Sequence, residues 1–182
     1  MTCGLALLTL ATIASAGCSQ TEPARTETRP PDRVEVTLVD RTEFDAVLAR
    51  LTGKVVLVDC WATWCGPCVD QLPHAAELAR QHPGTDFAVV TLNFDDPDAA
   101  EQVRKVLGDS GAEAAGVTNL QSKQGGSSES MDAFEISSGA LPHYKLFDRQ
   151  GKLRRTFELD PAAKQQFTLA DIDAAVAKLL AE

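Results

Sequence analysis

Cys65 and Cys68 are separated by two residues, a spacing that both thiol chemistry and metal binding use. Gly66-Pro67 lies between them, and the motif joins a valine-rich apolar run to an amphipathic stretch. A helix that begins here would place the Cys65 sulfur beside unpaired backbone N–H groups and the positive end of the helix dipole. That setting lowers a cysteine pKa from about 8.5 into a range of roughly 3.5–7.5. Cys65 is therefore predicted to attack disulfides, with Cys68 as the resolving thiol.

The residues alone leave other interpretations of this motif open. A structural zinc site would need a second Cys or His pair, whereas His74, His82 and His143 are scattered along the chain. A structural disulfide would need neither the flanking tryptophans nor a helix junction. We expect a redox disulfide between Cys65 and Cys68, with no metal or organic cofactor. The alternative function is a lipid-tethered copper-binding metallochaperone or binding module in which both cysteines, with or without His143, hold Cu(I), because soft thiolates suit that ion.

The composition is that of an ordinary soluble domain. The chain has 182 residues, of which 44% are hydrophobic and 24% charged, so it is long enough to bury its own core. The formal net charge of -9 argues against a nucleic-acid partner, because phosphate binding requires a surplus of Lys and Arg. The negative net charge does not indicate which substrate the protein uses.

The N-terminus has the features of an export signal. Residues 1–18 carry no charge and contain an apolar run that is too short to span a bilayer but suits a secretory signal. The run ends in small residues before Cys18, which resembles a bacterial lipobox and implies lipidation of that cysteine. Secretion without lipidation, or a cytoplasmic location, are the alternatives. Residues 19–33 are polar and proline-bearing, and they are predicted to form a flexible tether with a reach of about 20 Å.

A domain is predicted from Val34 to the C-terminus. Apolar runs and amphipathic stretches alternate in the order β-α-β-α-β-α, followed by a strand hairpin and a final helix. This order predicts an α/β fold, a three-layer sandwich with a mostly parallel central sheet and an antiparallel closing hairpin. Thr42 and Thr168 are predicted helix N-caps. The small, polar residues 110–130 are predicted to form a long surface insertion, and a short strand around Val117 is one alternative within it.

The stretch VVLVDCWATWCGPC, residues 55–68, resembles the active-site strand and turn of thioredoxins. Pro73 stands where helices of that superfamily carry a kinking proline, and Pro142 stands where the family has a cis-proline. Residues 34–182 match the superfamily layout as a whole. Together with the N-terminus, they are most similar to the membrane-tethered TlpA/ResA-like thiol–disulfide oxidoreductases.

The resemblance implies roles for further residues. Asp59 corresponds to a buried acid whose pKa burial raises and which accepts the proton of Cys68. Cys60 departs from the family pattern and is predicted to be a core residue, with a regulatory third thiol as the alternative. Trp64 is expected to pack over the disulfide. The implied substrate-binding residues are Trp64, Gly66, Pro67, Leu141 and Pro142.

The resemblance also implies a function and partners. It indicates an extracytoplasmic reductant of protein disulfides, in cytochrome c maturation or in general redox balance of the cell envelope. Such a protein needs disulfide or dithiol protein substrates, a membrane thiol electron donor and a lipid anchor in the membrane. It is expected to act as a monomer. A surface protein that kept the fold without enzymatic activity is the remaining alternative.

Overall fold

The computed structural model describes Met1 and residues 34–84, 86–136, 138–160 and 162–182. The predicted signal segment, Cys18 and the predicted tether lie outside these residues. Within the described part of the chain, no helix is long and apolar enough to cross a membrane. The elements, in chain order, are β1 Thr37–Val39, α1 Arg41–Arg50, β2 Val55–Trp61, α2 Gly66–Gln81, β3 Phe87–Asn93, a 3₁₀ turn Pro97–Ala99, α3 Ala100–Asp109, β4 Val117–Ser122, α4 Ser128–Ala133, β5 His143–Phe147, β6 Leu153–Phe157 and α5 Leu169–Leu180.

The six described strands form one sheet in the order β1-β4-β3-β2-β5-β6. Strands β1, β4, β3 and β2 are parallel to one another, whereas β5 pairs antiparallel with both β2 and β6. Every residue of β2 and β3 is buried, as expected for central strands covered on both faces. This arrangement confirms the predicted α/β class with its closing hairpin.

Helices cover both faces of the sheet. The side chains of a β-strand alternate between the two faces, so the apolar strands present residues that must be buried on each face. On one face, Leu57 of β2 packs in a core with residues of α2 and α5. Helix α3 extends this face, since Leu107 packs beside Leu72 of α2. On the other face, Val58 packs with Phe44 of α1 and with residues of α4. The three layers are therefore α2, α3 and α5, then the sheet, then α1 and α4.

Residues 110–130 contain a short strand that begins at Val117, where the sequence suggested one, but the segment is not the predicted surface insertion. Val117–Ser122 lies between β1 and β3 and is parallel to both, so the middle of this segment belongs to the sheet and is not a surface insertion. Its polar side chains are buried rather than solvated. The residues concerned are Asn119, Gln121 and Ser122.

Hydrogen bonds explain how β4 can be polar and buried. Thr91 Oγ1 donates to Asn119 Oδ1 at 2.9 Å, and Asn119 Nδ2 donates to the Ala112 carbonyl at 3.0 Å. Ser122 Oγ and Ser130 Oγ share a hydrogen bond of 2.7 Å. Because such partners offset the cost of removing polar groups from water, a strand can be internal without an apolar sequence.

The N-cap of α1 is Asp40, not the predicted Thr42. The Asp40 carboxylate accepts from the Glu43 N–H at 3.0 Å, and the Glu43 carboxylate accepts from the Asp40 N–H at 2.8 Å. This reciprocal capping box leaves Thr42 exposed inside the first turn. The N-cap of α5 is Thr168, as predicted.

Replacement of Asp40 by alanine should lower the thermal unfolding midpoint by about 2–4 °C, because one capping partner of the first helical turn is lost. Thr42→Ala is the matched control and should leave the midpoint within about 1 °C of the wild type. Calorimetry on the two variants measures the difference directly. An equal or larger effect at Thr42 would contradict the assignment of the cap.

Candidate active site

The two cysteines lie where β2 ends and α2 begins. Cys65 is the N-cap of α2, and Gly66 and Pro67 form the start of its first turn. The structure joins Cys65 and Cys68 by a disulfide, with their Cα atoms 5.3 Å apart. Cys65 is 7% exposed and Cys68 1% exposed, so Cys65 is the more accessible sulfur. No side chain caps the start of this helix, which leaves its N–H groups directed at the Cys65 end.

Asp59 lies beneath this helix. The alternation along β2 places its side chain on the same face as Leu57 and Trp61. Leu57 packs with the later turns of α2, and Trp61 packs in a core with Cys65 and Cys68. Asp59 therefore lies between the two, on the face of the sheet that α2 covers.

The Asp59 carboxyl group is fully buried, and neither of its oxygens has a hydrogen-bond partner among the described residues. Burial raises the pKa of Asp59 to about 8, because the charged form loses its hydration without compensation. An acid of this kind can take up or release a proton near neutral pH.

The strands that flank Asp59 explain its lack of partners. Thr91 of β3 and Tyr144 of β5 stand beside it in register. The Thr91 hydroxyl donates to Asn119, and the Tyr144 hydroxyl donates to Gln71 Oε1 at 2.9 Å. Both hydroxyl groups are thus used elsewhere. The sequence offered no signal for these two neighbours, since both depend on strand register.

The segment that carries Pro142 reaches the cysteines. The Leu141–Pro142 peptide bond is cis, and Leu141 packs against the core that contains Cys65 and Cys68. The sequence places these residues more than 70 positions apart, and the antiparallel pairing of β5 with β2 brings them together.

Trp64 is 64% exposed, so most of its side chain faces solvent, and its packing over the disulfide stays a prediction. Its ring edge faces the backbone of Gly126, where an added Cβ would lie 3.6 Å from Trp64 Cζ2. Trp61 is the buried tryptophan of the pair. The exposure of Trp64 follows from its place in the turn before α2, whereas Trp61 still belongs to the central strand.

Cys60 and His143 belong to the opposite face of the sheet. They stand opposite each other in register, and Cys60 packs in the core beneath α1 and α4. Burial raises the pKa of the Cys60 thiol. It lowers the pKa of His143 to about 4, with the nearby Lys145 ammonium acting in the same direction. His143 is thus not brought together with Cys65 and Cys68.

Metal ligands do not cluster in the described part of the chain, where no three His, Cys, Asp or Glu side chains are grouped closely enough to hold an ion.

The Lys145 ammonium contacts the two residues that follow α4. It donates to the Phe134 carbonyl at 2.6 Å and lies 3.3 Å from a Glu135 carboxylate oxygen. Lys145 therefore anchors the end of α4, from which the chain runs toward Pro142.

Asp59→Asn should make the oxidised protein more stable relative to wild type as the pH rises. The folded protein binds a proton at Asp59 up to about pH 8, whereas the unfolded chain releases it near pH 4. Wild-type stability should therefore fall by up to about 1.4 kcal/mol per pH unit in this window, and asparagine removes that slope.

Urea unfolding at pH 5, 6, 7 and 8 measures this difference. Asp70→Asn, at an exposed position on α2, is the matched control. A stability difference between Asp59→Asn and wild type that stays constant over the four pH values would show that Asp59 is charged throughout.

Known proteins are similar to this chain in the sequence of one segment or in the fold. A 56-residue segment is 43% identical to the H-type thioredoxin of Oryza sativa subsp. indica, and it spans 30% of this chain and 46% of that relative. The chain therefore covers less than half of this curated relative.

Two solved structures show the same fold over most of the chain. A thiol-disulfide isomerase from Corynebacterium glutamicum has a TM-score of 0.55 and 20% identity, with coverage of 74% of this chain and 85% of that one. The exposed lipoprotein thioredoxin Etrx1 of Streptococcus pneumoniae has a TM-score of 0.52 and 21% identity, with coverage of 72% and 90%.

The family follows from the sequence match. Residues 28–176, which include the described elements up to the last turns of α5, match the family described as Redoxin. With its thioredoxin-like sheet and the Cys65–Cys68 disulfide at the start of α2, the chain belongs to the Redoxin family.

Proposed function

We propose that this protein is a thiol–disulfide oxidoreductase that reduces disulfides in other proteins. The observation that carries the proposal is a disulfide at a helix start with a fully buried, unpartnered carboxyl group beneath that helix. The helix start favours a thiolate at Cys65, and Asp59 supplies a proton acceptor inside the protein. The likeness to thioredoxins supports the same chemistry.

The first half of the reaction uses Cys65. In the reduced enzyme, its thiolate attacks one sulfur of a substrate disulfide and forms a mixed disulfide, while the other substrate sulfur leaves as a thiolate and takes up a proton. Cys65 can be the attacking group because it is the more exposed cysteine and lies at the N-cap. An extended substrate segment would lie along Leu141 and Pro142, next to the disulfide. Trp64, Gly66 and Pro67 would form the other side of this contact.

The second half uses Cys68 and Asp59. With a pKa of about 8, a minor fraction of Asp59 is ionised near neutral pH. In that fraction the carboxylate accepts the Cys68 proton, directly or through a water molecule, and the resulting thiolate attacks Cys65. The Cys65–Cys68 disulfide forms and the second substrate sulfur leaves as a thiol, so two electrons pass from the dithiol to the substrate. A dithiol donor then restores the reduced pair.

The proposal extends to a location outside the cytoplasm. It is supported by the signal-like residues 1–18 and by structural likeness to an exposed lipoprotein thioredoxin. Lipidation of Cys18 would hold the domain at the membrane through residues 19–33. In that setting the electron donor is a membrane thiol protein, and cysteine pairs of apocytochrome c or of other envelope proteins are the substrates.

A Cys68→Ser variant should stall at the mixed disulfide. Mixed with insulin, it should form a covalent adduct that dithiothreitol releases, because the resolving thiol is absent. Cys65→Ser is the matched control and should give no adduct, since it lacks the attacking sulfur. Non-reducing electrophoresis distinguishes the two, while the wild type should accelerate insulin reduction by dithiothreitol. Identical adduct patterns for both variants, with no acceleration by the wild type, would refute the proposed function.

Asp59→Asn should slow resolution of the mixed disulfide by about 10-fold or more and leave its formation nearly unchanged. The reason is that Cys68, and not Cys65, depends on the buried proton acceptor. Rapid quenching with acid, followed by mass spectrometry, separates the two steps. If the variant forms the mixed disulfide at the wild-type rate and also resolves it at the wild-type rate, Asp59 has no part in the mechanism.

A further inference from the structure

We propose that Asp95 is a positioning residue that fixes the backbone turn from which Cys65 reacts, acting through Thr63. The inference rests on the proposed thiol–disulfide exchange and adds to it a residue outside the cysteine motif. It is carried by hydrogen bonds between the turn and the end of strand β3.

The turn before Cys65 has a backbone group that needs an outside partner. The Cys65 N–H donates to the Ala62 carbonyl at 3.1 Å and closes the turn. The Thr63 N–H points out of this turn and donates to Asp95 Oδ2 at 2.7 Å. The Thr63 hydroxyl donates to Asp95 Oδ1 at 2.6 Å. Both oxygens of one carboxylate therefore hold a single residue, two positions before the attacking sulfur.

Asp95 is itself held in place. Its side chain accepts from Asn93 Nδ2 at 2.7 Å, and its N–H donates to Asn93 Oδ1 at 2.9 Å. From β4, Gln121 Nε2 donates to the carbonyls of Asp95 and Asp96 at 3.2 and 2.9 Å. Asp95 is 6% exposed, and Asn93 and Gln121 are fully buried. A rigid support of buried polar groups thus stands behind the contact with Thr63.

Helix capping does not account for Asp95. The residue at the N-cap of the 3₁₀ turn Pro97–Ala99 is Asp96, and no side chain caps that turn. The hydrogen bonds of the Asp95 carboxylate run instead to Thr63 and Asn93. The main chain makes a parallel link, since the Phe94 N–H donates to the Trp61 carbonyl at 2.9 Å. Asp95 therefore ties the β2–α2 turn to the end of β3.

The consequence for Cys65 is positional. A sulfur gains from a helix N-terminus only while it stays within the first turn, and a displacement of about 1 Å at a reacting group can cost roughly 100-fold in rate. Loss of the contact with Thr63 frees the turn in which Cys65 sits. Both the reactivity of the Cys65 thiol and the pH midpoint at which this reactivity appears should then change.

Three variants test the inference on the reduced full-length protein. In Asp95→Ala the carboxylate is lost. Asp95→Asn keeps the contacts, because its amide oxygen can accept from the Thr63 N–H and its amide nitrogen can donate to the Thr63 hydroxyl oxygen. Thr63→Val removes the hydroxyl contact and keeps the charge. Asp98→Ala, at an exposed position nearby, is the matched control.

The measurement is alkylation of Cys65 by iodoacetamide from pH 5 to 9, followed at the Cys65 peptide by mass spectrometry. At pH 7, Asp95→Ala should react about 10-fold more slowly than Asp95→Asn, with a higher pH midpoint. Since both variants lack the charge, the difference reports position alone. Thr63→Val should change in the same direction by about threefold. Asp95→Asn and Asp98→Ala should stay within threefold of wild type.

Equal alkylation profiles for Asp95→Ala, Asp95→Asn and Thr63→Val, in proteins with native circular dichroism, would overturn the inference. Should Asp95→Ala fail to fold, a wild-type profile for Thr63→Val overturns it as well. Alkylation needs no substrate protein. A wild type that fails to reduce insulin would therefore refute the proposed function, while the alkylation profiles would still decide the role of Asp95.

Discussion

The carboxyl group of Asp59 lies between a central strand and the active-site helix, where bulk solvent and the hydrogen-bond donors of the described residues are excluded. Its pKa of about 8 depends on this exclusion, because a single donated hydrogen bond or a nearby cation would favour the charged form. Thr91 and Tyr144 stand next to it and direct their hydroxyl groups elsewhere. The raised pKa of Asp59 is thus a product of the surrounding strands and not of the residue alone.

Polar side chains support the site from the other side of strand β3. The Thr91 hydroxyl donates a buried hydrogen bond to Asn119 of β4, and Gln121 of β4 donates to the carbonyl of Asp95 in the loop after β3. Low local polarity makes each of these bonds stronger and makes the loss of any partner costly. The segment that contains β4 therefore acts as a structural support of the active-site turn, since Asp95 in turn holds Thr63.

The two faces of the sheet separate two groups of ionisable side chains. Asp59 faces α2, whereas Cys60 and His143 face α1 and α4. Neighbours in the sequence are thereby kept apart by the alternation of β2. Cys60 is one residue from Asp59 and yet lies in an apolar core that raises its pKa, so it behaves as a small hydrophobic residue. The redox pair is confined to the α2 face.

The sequence by itself determined the features that depend on near neighbours: the order of the strands and helices other than β4 and α4, the spacing of Cys65 and Cys68, and their position at a helix start. Only the tertiary structure decided which polar residues are buried, because partners for β4 and for Asp95 come from distant parts of the chain. Hydropathy predicts exposure for such residues, and it fails where hydrogen bonds replace water. The same reason explains why the exposure of Trp64 and the isolation of Asp59 could not be predicted from local pattern.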